Sequence, residues 1–451
     1  MERTRISNLK NSVGNEVLIN GWIEVARNQG KVAFFDVRDM SGSVQGVVFG
    51  KPEVLEVAKS LGQQHVVAMT GIVKSRDAKQ VNEKIQNGDI ELEITSISVL
   101  STAEAMPFDL DADLTLETLL DYRPLTLRRP RERAIFRVQH HIITAYREYL
   151  TSIGCTEVQA PKLVGEDAEG GGEVFKLDYF YDKSAYLATS PQLYKQIMVG
   201  VFERVFVTGN VFRAEKHATT RHLNEYTSID AEFGFIKDHT DLMRIETALL
   251  KFIVARLREH AMHDLTVLGV ELPLVPESDV FPHMKLREAQ ALILKETGKD
   301  KTNEPDLEPE DERWLCQYAR EKLGSDFIFV THYPVSKRPF YTYEDENDPG
   351  FTKSFDLLFR GVEITTGGQR RHTYEMLVEG AKLKGLDPEK FAFYAQAFRY
   401  GMPPHGGWGM GLERLTQKFL GLENVKEATL FPRDINRIDT LLSKENQPQP
   451  E

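Results

Sequence analysis

Residues 401–433 have the sequence GMPPHGGWGMGLERLTQKFLGLENVKEATLFPR, in which a glycine-dense strand runs into a predicted helix start at Gly411. Glycines let the backbone come close to a ligand. Arg414, on the predicted helix, carries a planar guanidinium that stays charged at any working pH. The combination indicates a site for a nucleotide phosphate. Gly-rich turns are common, however, and an ordinary strand–turn–helix with a surface arginine explains this stretch alone equally well.

A second segment, residues 206–233, has the sequence FVTGNVFRAEKHATTRHLNEYTSIDAEF and is predicted to form two strands joined by a polar loop. Charges of both signs recur along it beside apolar residues. Such a pattern is unusual for a sheet unless the charged face is the floor of a binding site, although a solvated face is the plainer alternative. The charged side chains are Arg213, Glu215, Arg221, His222, Glu225 and Asp230.

Three motifs, in order along the chain, resemble those that define the class II aminoacyl-tRNA synthetases. Residues 135–163, which contain VQAP, are similar to the first motif, which builds the dimer interface in that class. FRAE at 212–215 with RHLNE at 221–225 is similar to the second motif, and GMGLER at 409–414 is similar to the third. The resemblance implies a homodimer of an α+β chain, in which the class II catalytic domain, an antiparallel sheet flanked by helices, spans residues 134–440.

The resemblance also implies an ATP site. In such an enzyme a carboxylate attacks the α-phosphate of ATP, so positioning and charge neutralisation carry catalysis and no nucleophilic side chain is needed. Arg213 would hold the α-phosphate and the amino-acid carboxylate, and Arg414 the γ-phosphate and the adenine ring; these two are the expected catalytic residues. The full expected ATP-binding set is Arg213, Glu215, Arg221, His222, Leu223, Glu363, Gly411 and Arg414.

Two acids within KSFDLLFRGVEITTGG, Asp356 and Glu363, lie on an apparent strand–turn–strand. By the resemblance they hold Mg²⁺ against the phosphates, with the hydroxyl of Thr366, which stands where the family often has serine. Carboxylate and phosphate oxygens are the ligands a hard octahedral cation favours. Without this context either acid alone would be taken as an ordinary surface carboxylate.

YLATSPQLYKQ at 186–196 and EITTGGQRRH at 363–372 resemble aspartyl-tRNA synthetases of the compact type found in archaea and some bacteria. A small acidic substrate needs a cation or two in a tight pocket, and a fixed arginine fork suits a carboxylate best. The implied substrates are L-aspartate, ATP and tRNA(Asp), with tRNA(Asn) left open. The alternatives are an asparaginyl enzyme and an adenylate-forming protein that charges no tRNA. By the resemblance, aspartate contacts Glu169, Gln192, Lys195, Asp230, Thr366 and Arg370.

The N-terminal part, residues 1–102, is predicted to be an OB-fold barrel. Residues 15–100 alternate apolar and polar in five short runs, with a helical stretch at 52–61. Such barrels bind single-stranded nucleic acid by stacking bases on aromatic side chains. By the resemblance, Arg27, Phe34 and Gln45 contact the anticodon. Because successive strand residues face opposite sides, either Phe34 or its neighbour Phe35 must fill the barrel core.

The remaining segments and the composition add less. Residues 103–133 are predicted to be a linker whose arginines either touch tRNA or form ion pairs, 274–325 a short helical insertion, and 441–451 a disordered tail. The net charge of −12 argues against a wholly basic nucleic-acid coat, but tRNA needs only a local basic face. Two cysteines without metal-type spacing and no long apolar run favour a cytoplasmic protein without structural zinc or a membrane span.

Overall fold

The computed structural model describes residues 1–82, 86–165, 173–216 and 219–442. The chain divides into two compact units, residues 1–113 and 114–451. No helix among the described residues is long and apolar enough to cross a membrane.

The first unit is a closed five-stranded barrel with the strand order β1-β2-β3-β5-β4, which confirms the OB-fold prediction. Strict alternation of burial along β2 sends one face of the strand into the barrel. Phe35 is 1% exposed in that core, whereas Phe34 lies on the outer face and is half-buried. The elements are β1 (Glu16–Asn28), β2 (Val32–Asp39), β3 (Gly42–Phe49), α1 (Pro52–Lys59), β4 (Val66–Ser75) and β5 (Ile90–Ser101).

The second unit is built on an eight-stranded sheet with the order β12-β13-β14-β15-β16-β11-β10-β6. Its strands are β6 (Thr156–Glu157), β10 (Arg204–Phe212), β11 (Glu225–Gly234), β12 (His283–Lys285), β13 (Phe327–Thr331), β14 (Ser354–Phe359), β15 (Val362–Gln369) and β16 (His405–Gly411). The neighbours from β13 to β10 pair antiparallel, as predicted, but β12 with β13 and β6 with β10 are parallel. The parallel edges arise because each of these pairs is joined by a long crossover that contains helices.

Helices cover this sheet, and a second, three-stranded sheet lies beside it. The helices are α2 (Leu116–Asp121), α3 (Arg123–Thr126), α4 (Pro130–Ser152), α5 (Gln192–Phe202), α6 (His239–His260), α7 (Met262–Leu268), α8 (Leu286–Thr297), α9 (Pro309–Leu323), α10 (Tyr374–Leu383), α11 (Ala392–Arg399) and α12 (Leu412–Leu420). The small sheet has the order β7-β9-β8, from β7 (Leu163–Val164), β8 (Lys176–Tyr179) and β9 (Lys183–Leu187). The main core joins apolar side chains of α4 and α6 to those of the large sheet.

Two segments differ from their predicted character. Residues 114–133 belong to the second unit instead of forming a linker. The buried guanidinium of Arg123 donates to the carbonyl of Leu430 at 2.8 Å and to that of Glu427 at 3.2 Å, so this segment is held against the C-terminal part of the unit. The segment 274–325 contains the two expected helices, α8 and α9, but it also supplies β12 to the edge of the sheet. Most of the predicted tail, from residue 443 onward, lies outside the described residues.

Candidate active site

A cavity of about 330 Å³ lies over the large sheet of the second unit. Its floor comes from β11, β15 and β16, and its walls come from the β10–β11 loop and α12. The structure thus brings together side chains that the sequence spreads over more than two hundred positions. The predicted residues among those lining it are Gln192, Arg213, Glu215, Arg221, His222, Leu223, Asp230, Glu363, Thr366, Arg370, Gly411 and Arg414.

The loop between β10 and β11 is tied to itself by Asn224. Its side-chain amide donates to the carbonyls of Arg213 and Glu215, at 2.6 and 3.2 Å. His222 Nε2 lies 3.4 Å from Glu215 Oε2, and the Arg213 guanidinium lies 5.7 Å from the centre of the Tyr226 ring. These contacts hold the charged loop residues over one end of the cavity.

Arg414 projects from the first turn of α12. Its Nη1 donates to the backbone carbonyl of Glu363 at 3.0 Å, which fixes the guanidinium beside the predicted metal ligands. The preceding residue, Glu413, is buried and accepts from the backbone N–H of Thr227 at 3.0 Å, so α12 is fastened to β11. Burial raises the pKa of Glu413 to about 7.

The glycine-dense strand β16 serves packing as well as the cavity. A Cβ at Gly407 would lie 2.0 Å from the carbonyl oxygen of Ala231 on β11, so only glycine allows these two strands to come this close. Gly409 and Gly411, further along β16, line the cavity. Gly407 therefore serves strand packing, and the predicted contact of the later glycines of β16 with a ligand stays a prediction.

Arg221 meets an acid that sequence reasoning missed. Its Nη1 lies 3.3 Å from Oε2 of Glu312, on helix α9 of the insertion. Burial raises the pKa of Glu312 to about 7 and Glu363 adds to that rise, while Arg221 opposes it. The insertion therefore reaches the same end of the cavity as the predicted metal ligands.

The three predicted metal ligands lie together. Asp356 on β14 is the register partner of Thr366 on β15, and the Thr366 hydroxyl donates to Glu363 Oε1 at 2.6 Å. Asp356 Oδ2 pairs with Arg338 Nη2 at 2.7 Å, and Asp356 is buried and is not part of the cavity lining. Burial raises the pKa of Asp356. The nearby Glu363 carboxylate raises the pKa of Asp356 further, whereas Arg338 lowers it.

This donor set fits Mg²⁺. Carboxylate and hydroxyl oxygens are the hard ligands that Mg²⁺ takes, and two of the three residues, Glu363 and Thr366, line the cavity. Across the described ranges no group of three or more His, Cys, Asp or Glu could hold a metal without other ligands. Two acids and a hydroxyl therefore suit a cation that completes its shell with phosphate oxygens and water.

At the other end of the cavity, four buried charges form a network. Arg370 Nε donates to Glu232 Oε1 at 2.8 Å and its Nη2 to the carbonyl of Gly407 at 2.9 Å. Lys195 Nζ donates to Asp230 Oδ2 at 2.7 Å and to the Trp408 carbonyl at 2.8 Å, and it lies 3.4 Å from Glu232 Oε2. Burial alone would raise the pKa of Glu232, but Arg370 and Lys195 outweigh it and hold that pKa below its usual range.

Arg370 and Lys195 differ in how they meet the cavity. Arg370 lines it, and its described bonds use Nε and Nη2, which leaves the Nη1 end for a ligand. Lys195 is fully buried behind Asp230 and is not part of the lining. The predicted contact of Lys195 with substrate stays a prediction. Glu169 lies outside the described residues.

Comparisons with known proteins identify the family of this chain. A family model of class II tRNA synthetases (D, K and N) matches residues 115–435, and one of OB-fold nucleic acid binding domains matches residues 17–100. The aspartate–tRNA(Asp/Asn) ligase of Thermus thermophilus is 45% identical over 440 residues, covering 97% of this chain and 99% of the relative. The chain belongs to the aspartate–tRNA ligase family of class II aminoacyl-tRNA synthetases.

Two further matches place this synthetase within the family. The aspartate–tRNA(Asp) ligase of Thermoplasma acidophilum is 40% identical over 444 residues, covering 97% of this chain and all of the relative. The crystal structure of asparaginyl-tRNA synthetase from Pyrococcus horikoshii superposes with a TM-score of 0.88 at 33% identity, covering 97% of this chain and 99% of that one. Aspartyl and asparaginyl enzymes thus share the architecture, and individual side chains must decide the substrate.

In the first unit of the synthetase, the predicted anticodon residues share a region of the barrel surface. Phe34 is the register partner of Arg27 on β1, and Gln45 on β3 is the partner of Asp36. Arg27 Nη2 lies 3.4 Å from Asp36 Oδ2. The half-buried Phe34 ring is therefore flanked by polar groups, the surroundings expected where a base stacks.

Sequence reasoning missed several residues of the site. Glu232 stands in the charged strand but was not singled out, and Arg338 follows a strand that carried no prediction. The basic pair in the run VSKRPFY was the available signal for Arg338. For Glu312 the sequence offers no signal, because its position against Arg221 depends on how α9 packs on the sheet.

Proposed function

We propose that this synthetase activates L-aspartate with ATP and Mg²⁺ and transfers it to the 3′ end of tRNA(Asp). The observation that carries the choice of aspartate is the buried Arg370, whose guanidinium is fixed by Glu232 and the Gly407 carbonyl with one end directed to the cavity. The N–H groups at that end donate to a carboxylate oxygen and oppose the N–H₂ side of an amide.

The activation step needs charge neutralisation and alignment. The α-carboxylate of aspartate attacks the α-phosphorus of ATP, the bond to pyrophosphate breaks, and aspartyl-adenylate forms. Arg213 and Arg414 are proposed to hold the α- and γ-phosphates, one on the β10–β11 loop and the other on α12. Mg²⁺, when bound by Asp356, Glu363 and Thr366, supplies further neutralisation of phosphate charge. Such preorganised charges are the largest source of catalysis in phosphate chemistry.

For the tRNA step, the OB-fold unit is proposed to bind the anticodon through Arg27, Phe34 and Gln45. The second substrate we propose is tRNA(Asn), because the Thermus thermophilus relative, at 45% identity, is an aspartate–tRNA(Asp/Asn) ligase. The Thermoplasma acidophilum relative, at 40%, bears the name of the tRNA(Asp) enzyme alone, which makes discrimination the competing outcome.

The proposed assembly is a homodimer in the cytoplasm, where tRNA and ATP are available. An exposed apolar stretch after α12 supports a partner surface: Leu430, Phe431, Ile435 and Ile438 are 48, 51, 45 and 55% exposed. Light scattering tests this. A mass of two chains is expected, and a monomer at every concentration would contradict it.

The experiment that tests the activity is pyrophosphate exchange into ATP, with aspartate and asparagine supplied separately and Mg²⁺ present. Exchange with aspartate alone is expected. Exchange with asparagine alone would overturn the substrate, and exchange with neither would favour a protein that activates another acid. Charging of purified tRNA(Asp) and tRNA(Asn) transcripts with aspartate then decides the range of tRNA substrates.

A further inference from the structure

A chain of hydrogen bonds runs from the wall of the cavity into the core. Gln192 Nε2 donates to Gln196 Oε1 at 2.9 Å, and Gln196 Nε2 lies 2.9 Å from His405 Nε2. His405 Nδ1 lies 2.9 Å from the carbonyl oxygen of Pro403. Gln192, Gln196 and His405 are 5, 0 and 0% exposed, and of these three only Gln192 lines the cavity.

The local structure explains why the chain forms. Gln192 and Gln196 stand one turn apart on α5, so their side chains share one face of the helix. His405 is the first residue of β16, which pairs with β11 beneath that helix. The groups that face its ring from neighbouring elements are Glu232, Arg370, His372, Phe398 and Gln196.

The Pro403 carbonyl, at the inner end of this chain of hydrogen bonds, sets the donor and the acceptor of each bond. The Pro403 carbonyl can only accept, so His405 Nδ1 carries the hydrogen. Burial lowers the pKa of His405 to about 4, so the ring is neutral near pH 7 and its Nε2 is an acceptor. Gln196 must then present its N–H₂ group to the ring and its oxygen to Gln192. One N–H of Gln192 donates to that oxygen, which turns the amide oxygen of Gln192 away from Gln196 and toward the cavity.

We propose that Gln196 and His405 are positioning residues that fix the amide of Gln192 with its oxygen toward the substrate, as an acceptor for the α-ammonium group. The proposal rests on the proposed function. An amide oxygen would repel either carboxylate of aspartate, so the ammonium is the substrate group it suits. If the chain of bonds ran in the opposite direction, Gln192 would present N–H₂ and would oppose the ammonium group.

Two substitutions at Gln196 separate positioning from packing. Methionine has nearly the same length but no polar atom, so Gln196→Met frees the amide of Gln192 to rotate. Glutamate keeps an oxygen that accepts from Gln192, and it accepts from a protonated His405 as well, so Gln196→Glu preserves the orientation of Gln192. A packing role predicts the opposite ranking, because a buried carboxylate disturbs a core more than a methionine does.

The readout is selectivity for the ammonium group in pyrophosphate exchange. L-malate, which carries a hydroxyl in its place, serves as a competitor, and the ratio of its inhibition constant to the KM for aspartate is measured. Gln196→Met is expected to lower that ratio by ~10- to 150-fold, the effect of one hydrogen bond to a charged group, with the KM for ATP unchanged. Gln196→Glu is expected to keep most of the ratio.

Gln290→Met is the matched control, since Gln290 is also buried and donates to a backbone carbonyl, but in the helical insertion. It is expected to leave the ratio unchanged. His405→Leu removes the imidazole that accepts from Gln196, at the inner side of the chain of hydrogen bonds. It gives an independent result if Gln196→Met is not recovered folded. An unchanged ratio in Gln196→Met or in His405→Leu would overturn the proposal, as would a larger loss in Gln196→Glu than in Gln196→Met.

Failure of the proposed function would be seen separately. If the wild-type enzyme exchanges pyrophosphate with asparagine instead of aspartate, the substrate assignment fails. The positioning proposal is then tested unchanged with asparagine and its α-hydroxy analogue, because both amino acids carry the same ammonium group.

Discussion

Replacing Arg370 with lysine separates the shape of the guanidinium from its charge. In the structure Arg370 uses Nε for Glu232, at 2.8 Å, and Nη2 for the Gly407 carbonyl, at 2.9 Å, while a third direction faces the cavity. The lysine ammonium is a single point with three donors. It can satisfy Glu232, which is fully buried and cannot be left without a cation, but it cannot reach the substrate carboxylate at the same time.

The size of the expected loss in activity follows from the hydrogen bonds that each of the two side chains can make. Arg370→Lys keeps the ion pair with Glu232 and loses the hydrogen bond from the Nη1 end to the substrate carboxylate. A hydrogen bond to a charged group contributes about 1.5–3 kcal/mol, so kcat/KM for aspartate is expected to fall by ~10- to 150-fold. The KM for ATP is expected to stay unchanged, because Arg370 lies at the opposite end of the cavity from Arg414.

The assay is pyrophosphate exchange at varied aspartate and varied ATP. The matched control is Arg371→Lys, because Arg371 is an adjacent buried arginine whose described bonds run to the carbonyls of Thr342 and Met376 and not to the cavity. An equal loss in both variants would show that any buried arginine here matters for stability alone. An unchanged kcat/KM for aspartate in Arg370→Lys would refute the assignment of this guanidinium to the substrate.

Three further predictions concern other parts of the molecule. Arg414→Lys is expected to raise the KM for ATP in the exchange assay by ~10-fold or more while leaving that for aspartate unchanged, because a lysine cannot bond the Glu363 carbonyl and a phosphate together. Burial raises the pKa of Glu246 from 4.5 to about 8, so its contribution to stability is present below pH 4.5 and lost as the pH rises through 8. Glu246→Gln should therefore reduce the fall in unfolding free energy over that interval by on the order of 4 kcal/mol in urea titrations, and an unaltered pH profile would contradict this. Phe34→Leu is expected to lower kcat/KM for tRNA by ~5- to 150-fold, the effect of one lost base stack, and to leave pyrophosphate exchange unchanged. Phe49→Leu on the same barrel should change neither kcat/KM for tRNA nor exchange.

Local pattern was enough to predict the elements that carry the site. Alternation in residues 15–100 predicted the barrel, and the glycine-dense strand leading to a helix corresponds to β16 and α12. The acids of KSFDLLFRGVEITTGG stand on adjacent strands β14 and β15, as their spacing indicated. These features succeed because periodicity and turn residues act over a few positions.

Partners across the chain could not be predicted in this way. Arg370 and Glu232 are 138 positions apart, and Gln196 and His405 are 209 apart. The edge strand β12 has only three residues, too few for a pattern to show. The position of Glu312 likewise depends on how α9 packs against the sheet. Such contacts are set by tertiary packing, which a local sequence pattern does not predict.

In the proposed function, the charge network lets a pocket with little net charge select an acid. Lys195 and Arg370 are balanced by Asp230 and Glu232, so attraction to a negative side chain is weak at long range. Selection must come from the direction of the donors. An asparagine side chain would place either its oxygen or its N–H₂ group against each donor of Arg370, and one donor would then face another donor without water between them. Leaving buried donors unpaired disfavours the amide more strongly than extra attraction could favour the acid, since a site built for one hydrogen-bond pattern rejects the other. In this proposal Glu232 contributes to selectivity by holding the guanidinium of Arg370 in place, although Glu232 itself does not line the cavity.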